Sequence, residues 1–190
     1  MIELVNVSKS FDEKKVLDSF SAVFDEGKYL LKGPSGIGKT TCIRLILGLI
    51  DPDEGEVRVP DNTRFAVCFQ ENRLFEKETV LTNVTAVNEN ISITEATSAV
   101  LELLPLDSLS KKAGELSGGM KRRLAVIRAM LHDSDCVILD EPFTGLDDAS
   151  RSKTISFING RLNGRLLIVT SHDERGLSDF QAVNIDSPEN

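Results

Sequence analysis

The residues best able to do chemistry in this chain fall into five short groups. The first reads Gly33-Pro34-Ser35-Gly36-Ile37-Gly38-Lys39-Thr40-Thr41. It fits the phosphate-binding pattern of glycine, any four residues, glycine, lysine, then serine or threonine. Glycines at 33, 36 and 38 admit backbone angles that a β-carbon forbids. Successive N–H groups can then turn inward and form a nest for phosphate oxygens. A helix after the loop would point its positive end at the same anion. Lys39 adds a point charge toward β- and γ-phosphates, and the Thr40 hydroxyl is placed to ligate Mg²⁺. A chance match in a glycine-rich turn is the competing reading. The flanks oppose it: Tyr29-Leu30-Leu31 is of buried-strand type and Cys42 to Leu47 suits a helix.

The second group is Asp140-Glu141, closing the apolar run Cys136 to Leu139. A carboxylate at the C-terminal edge of a parallel strand lies on the ligand side of an open α/β sheet. Asp140 can hold Mg²⁺ through its water shell. Glu141, one residue further, points elsewhere and can address the water that attacks a γ-phosphate. Third is Ser117-Gly118-Gly119: an N-cap serine with two glycines at the first turn of a helix running to about Leu131. Its bare N–H groups make a second anion site, with no lysine in it. Gln70 and His172 complete the set, each after a β-type run. Alone, an amide at a strand end is usually an exposed loop residue, and a lone histidine is usually surface or a satisfied core group. Lys121-Arg122-Arg123 reads as a solvated basic face, the commoner use of such a run.

Those groups need elements to hold them. The 190 residues suit one domain with a substantial core. The net charge of −8 argues against broad nucleic-acid binding, which usually wants a basic face. The three cysteines, Cys42, Cys68 and Cys136, form no CxxC pair and read as small buried residues in a reducing compartment. No apolar run reaches the ~18 residues needed to cross a bilayer, and Met1-Ile2-Glu3-Leu4 does not read as a secretory signal. Strands are expected at 2–7, near 16–24, at 29–31, 56–59, 64–69, 135–140, 166–170 and 182–185. Helices are expected at 42–47, 79–87, 94–104, 117–131 and 148–162, with Ala96, Ala99, Val100, Leu103 and Leu104 on one buried face. Phe11 is either a strand-end core residue or a ring free to stack on a purine.

Taken together and in order, these pieces resemble the ATP-binding subunit of an ABC transporter, over nearly all of the chain. Gly33 to Thr41 resembles the Walker A loop, Gln70 the Q-loop, and Leu116 to Met120 the LSGGQ signature. Val137 to Glu141 resembles Walker B with its catalytic glutamate. Gly145-Leu146-Asp147 lies where the D-loop belongs, and His172 where the switch histidine belongs. The signature separates this family from other P-loop ATPases. The resemblance implies an α/β P-loop NTPase fold: a RecA-like core, an N-terminal antiparallel β subdomain and a small helical subdomain. One domain spans 1–190, with the core lobe at about 1–72 and 133–190 and the helical part at about 73–132.

It also implies a mechanism. Two such domains would pair head to tail, as a homodimer or with a second related subunit, with each ATP between the Walker A loop of one and the signature of the other. Phe11 would stack on adenine, and Gly33 to Thr41 would hold the phosphates. Ser117, Gly118, Gly119, Met120 and Asp147 would reach the nucleotide across the dimer. Glu141 would act as base or water-positioner, His172 would contact the γ-phosphate, and Lys39 and Gln70 would complete the catalytic set. Thr40 and Gln70 would sit on Mg²⁺, with Asp140 behind through water. Partners would be transmembrane permease subunits and a solute-binding protein, without nucleic acid. The place would be the cytoplasm, peripheral on the inner face of the cell membrane.

Two positions depart from the family pattern. Phe11 stands where tyrosine is usual, so stacking survives without a hydroxyl contact. Met120 stands where glutamine is usual, so an amide hydrogen bond across the interface is lost and ATP-driven closure weakens modestly. The chain also reads as short for the family, with no C-terminal regulatory domain. The segments Gln70 to Phe75 and Thr79 to Val84 resemble bacterial importers of nitrate, sulfonates or taurine, and import is the expected direction. The alternatives are a membrane-partner switch or scaffold, and a soluble ATPase acting on ribosomes or DNA.

Overall fold

The computed structural model describes residues 1–12 and 14–186. Two sheets share the work. Strands β1 (Ile2–Phe11), β2 (Lys14–Phe24) and β4 (Glu54–Arg58) form an antiparallel sheet in the order β2-β1-β4. Strands β5 (Phe65–Cys68), β6 (Cys136–Asp140), β7 (Leu166–Thr170), β3 (Lys28–Lys32) and β8 (Gln181–Asn184) form a parallel sheet in the order β5-β6-β7-β3-β8. The helices are α1 (Lys39–Ile46), α2 (Val80–Thr85), α3 (Ile93–Leu103), α4 (Gly118–Leu131) and α5 (Asp148–Arg161).

The inner strands β6, β7 and β3 of the parallel sheet are buried on both faces, which is why they read as apolar runs, while the edge strand β8 is largely exposed. Their residues still sort by the period of two. Val137, Leu139, Leu167, Val169 and Leu30 join one core with α3, α4 and α5. Ile138, Ile168, Leu31 and Tyr29 join the other, with α1 and the antiparallel sheet. The expected face of α3 is there: Ala96, Ala99, Val100, Leu103 and Leu104 are all buried. The three thiols are buried too, and burial pushes Cys42 and Cys136 up to about 12 and Cys68 to about 11. They are inert thiols at neutral pH.

Several elements run differently from expectation. β1 and β2 are longer, because Ser8 to Ser10 continue the ladder until the chain turns at Asp12, in left-handed backbone at φ 52°. β4 begins at Glu54, and Gly55 is required there: a β-carbon would lie 2.3 Å from the Asn6 carbonyl oxygen. Helix α1 starts at Lys39, not Cys42, directly after Gly38 at φ 120°. The lysine and both threonines therefore stand in the helix's first turn.

The site follows from the strand order. The C-terminal ends of β3, β5, β6 and β7 lie on one edge of the parallel sheet. They deliver, in turn, the glycine loop, Gln70, Asp140-Glu141 and His172. β7 lies between β3 and β6, so its last residue, Thr170, pairs with both Leu31 and Asp140.

Candidate active site

A cavity of about 220 Å³ opens at that edge. Ser35, Gly36, Gly38, Lys39, Thr40 and Thr41 line it, together with Gln70, Asp140, Glu141 and His172. Four separate stretches of the sequence thus meet around one space. Gly36 and Gly38 hold the loop open at φ 76° and 120°. Gly38 also has no room for a side chain, since a β-carbon would meet Val16 Cγ1 at 2.9 Å. Gly33, at φ 149°, meets Ile37 and the Ile185 carbonyl in the same way. Lys39, buried, donates to the carbonyls of Gly33 at 2.8 Å and Pro34 at 3.1 Å. Its charge is therefore held across the mouth of the loop. Pro34 and Ile37 close the loop itself, through a bond from the Ile37 N–H to the Pro34 carbonyl.

The Thr40 hydroxyl donates to Asp140 Oδ2 at 3.0 Å. Asp140 is 1% exposed. Its other oxygen accepts from the Thr170 hydroxyl at 2.6 Å. The Thr170 oxygen in turn accepts the Glu141 N–H at 2.9 Å. Glu141 stands in left-handed backbone at φ 52°, a conformation costing a non-glycine residue on the order of 1–3 kcal/mol. His172 Nε2 lies 3.2 Å from Glu141 Oε1. That oxygen is buried and has no aligned hydrogen-bond partner among the described residues. A carboxylate oxygen accepts and cannot donate, so Oε1 keeps capacity to accept a proton or a hydrogen bond, in a residue that lines the cavity.

Thr40, Gln70 and Asp140 bring a hydroxyl, an amide and a carboxylate to the same cavity. These are hard oxygen donors with a single carboxylate among them, the set that suits Mg²⁺ shared with phosphate oxygens.

The second glycine group is built differently. Ser117 caps α4, accepting the Met120 N–H at 3.3 Å. Ser117 and Gly118 are exposed, and nothing lies within 4 Å of where a Gly118 β-carbon would be. Gly119 abuts the Gly145 carbonyl at 3.2 Å on the same measure. Neither glycine lines the cavity around Lys39. Met120 is partly buried against the helical core. Asp147 caps α5, accepting the Ser150 N–H at 2.7 Å, which holds its carboxyl below the usual range. Phe11 is 42% exposed at the end of β1, with Lys9 Nζ 5.8 Å from its ring centre. It is therefore a surface ring and not a core residue.

A family model described as ABC transporter matches residues 17–144. The chain belongs to the ABC transporter ATP-binding family. Among its relatives is a Nod factor export ATP-binding protein I of Burkholderia lata, 37% identical over 90% of this chain and 62% of its own. An aliphatic sulfonates import ATP-binding protein of Rhodococcus jostii is 36% identical over 90% of this chain and 65% of its own. The chain spans about three fifths of the length of the curated relatives it matches. A dimeric ATP-binding cassette in a post-hydrolysis state, bound to ADP and Pi, superposes with a TM-score of 0.83 at 23% identity, over 98% of this chain and 94% of the other. A second dimeric structure, of a bacterial ABC transporter cassette, gives 0.81 at 25% identity, over 100% of this chain and 97% of the other.

The sequence reading missed four side chains. Arg122, expected on a solvated face, is only 4% exposed. The signal lay in Ala125 and Ala129, which put position 122 on the packed side of α4 at helical spacing. Thr170 is the one polar residue of an otherwise apolar strand, which was its signal. Val16 also lines the cavity. Arg151, buried, stacks on Phe143 at 4.5 Å and donates to the carbonyls of Asp173 and Arg175. It ties α5 to the turn after His172, and nothing local in the sequence marks it.

Proposed function

We propose that this chain is the ATP-hydrolysing subunit of a transporter, working as a head-to-tail pair and driving a separate transmembrane permease. The observation that carries this reading is the meeting of Lys39, Thr40, Asp140, Glu141, Gln70 and His172 around one cavity. The glycine loop and Lys39 bind the phosphates, and Phe11 stacks on the base. Glu141 Oε1 orients the attacking water or takes its proton, and the nearby His172 meets the γ-phosphate. Thr40 and Gln70 would hold Mg²⁺, with Asp140 behind, and the ion would neutralise charge on the phosphates. Catalysis is then mostly positioning and charge stabilisation. Ser117, Gly118, Gly119, Met120 and Asp147 serve the nucleotide of the partner chain. ATP acts as an interface ligand that shifts the population toward the closed pair.

A groove lined by Phe65, Val67, Phe69, Arg73, Ala129 and His132 lies between β5 and α4. It suits a short helix of a permease and lies beside the Gln70 loop. We place the chain in the cytoplasm against the inner membrane face, with import of a small solute, supplied by a solute-binding protein, as the direction. Import rests on Gln70 to Phe75 and Thr79 to Val84. The names of the relatives are divided: several are for export and one is for import.

Glu141→Gln tests the enzyme. Turnover should fall at least a hundredfold while ATP binding holds and an ATP-bound dimer accumulates; wild-type turnover in that variant would refute the role of Glu141. Uptake or efflux by sealed vesicles carrying the co-purified permease decides the direction.

A further inference from the structure

Arg122 is the most heavily engaged side chain near the cavity, and the functional reading above gives it no task. Its Nε donates to the Glu141 carbonyl at 3.0 Å, and Nη2 donates to the Asp140 carbonyl. Nη1 donates to the Phe69 carbonyl at 2.6 Å, the Gln70 carbonyl at 3.3 Å and Asn72 Oδ1 at 3.2 Å. One buried guanidinium therefore joins three segments: the catalytic end of β6, the Gln70 loop, and α4, which carries Ser117 to Gly119 at its head.

We infer that Arg122 is a positioning residue that clamps the Glu141 peptide and couples it, with Gln70, to the helix that serves the partner chain's nucleotide. The Glu141 peptides are gripped from two sides. Thr170 takes the N–H, and Arg122 takes the carbonyl on each side of the residue. Between those grips the backbone is left-handed, in a residue whose side chain lines the cavity beside His172. Only a planar fork can serve these acceptors at once. An ammonium has three donors on one atom and cannot span them. Because the same fork holds the Gln70 carbonyl, a shift of that loop on nucleotide binding reaches α4 without passing through solvent. This rests on the ATPase reading of the same site.

The test is steady-state ATP turnover of the full chain with Arg122→Lys, normalised to the number of sites that bind a fluorescent ATP analogue. Per-site kcat should fall roughly tenfold or more, with KM for ATP changed less than about twofold. A merely structural role would lower the count of competent sites and the melting temperature, and leave per-site kcat alone. Per-site kcat within twofold of wild type overturns the inference. Asn72→Ala carries the test should Arg122→Lys not fold: it removes one acceptor and leaves the guanidinium in place. It should lower per-site kcat about threefold, and unchanged kcat overturns the coupling. A wild-type chain that binds ATP but never hydrolyses it overturns the ATPase reading itself, and the inference with it.

Discussion

The two glycine groups look alike as strings and differ as structures. Gly33 to Thr41 is complete: it has its own cation, its own hydroxyl and a carboxylate 3.0 Å from that hydroxyl. Ser117 to Gly119 has exposed N–H groups at the head of a helix and no cationic side chain in the motif. The first can hold an anion by itself. The second supplies hydrogen bonds and half a dipole, and needs its ligand brought to it. The difference supports the proposal of one and a half sites, with the half serving another molecule.

The largest effects should come from damaging each group in turn, because the two failures should differ in kind. Gly118→Asp sets a carboxylate where phosphate oxygens would approach. The position is open, and an acid at a helix N-terminus is tolerated or stabilising. Turnover should drop about a hundredfold, roughly 2.7 kcal/mol in the barrier, while ATP binding to the isolated chain and the melting temperature stay put. Lys39→Met should do the reverse and weaken ATP binding at least tenfold. If Gly118→Asp weakens binding to the isolated chain as much as Lys39→Met does, the half-site serves its own nucleotide and the comparison fails.

Thr170→Val probes what completes the first site. It removes the hydroxyl shared by Asp140 and the Glu141 N–H. Two buried polar groups lose a partner, for about 1–3 kcal/mol of stability each at most. Turnover should fall roughly tenfold at unchanged KM. A variant that is less stable yet turns over normally would show that the strained Glu141 backbone is held by Arg122 alone.

How much of this was readable follows from how each residue works. The glycine loop was legible because its demands are local: backbone angles, a lysine and a hydroxyl at fixed spacing. The acids of β6 were legible because a strand end places them without help. The parallel core was legible because burial of its inner strands on both faces leaves mainly apolar residues, with Asp140 and Thr170 at the strand ends. Arg122 and Thr170 were not. They act on backbone carbonyls and N–H groups of other segments, and those acceptors carry no side-chain signature. The start of α1 was misplaced for a related reason. A glycine N-cap gives none of the polar signal by which Ser117 announced α4, so Lys39 was read as loop. Phe11 stayed open because exposure at a strand end depends on what packs beside it.

Met120→Gln should give the smallest effect and the sharpest view of the half-site. Met120 follows the exposed N–H groups and is itself partly buried against the helical core. Its thioether packs, and it accepts hydrogen bonds only weakly. Glutamine at the same place adds an amide able to reach a partner chain, at the expense of some packing below. One net hydrogen bond is worth about 1 kcal/mol, so ATP-dependent dimers should tighten by roughly threefold to fivefold. Binding of ATP to the isolated chain should not change, because the group that binds it is elsewhere. Sedimentation of the Glu141→Gln background with and without the substitution reads this directly. Tighter dimers would mean that the half-site is tuned by residues facing outward. Unchanged dimers would mean that the exposed N–H groups and the dipole already set its strength, and that methionine was kept for the core beneath it.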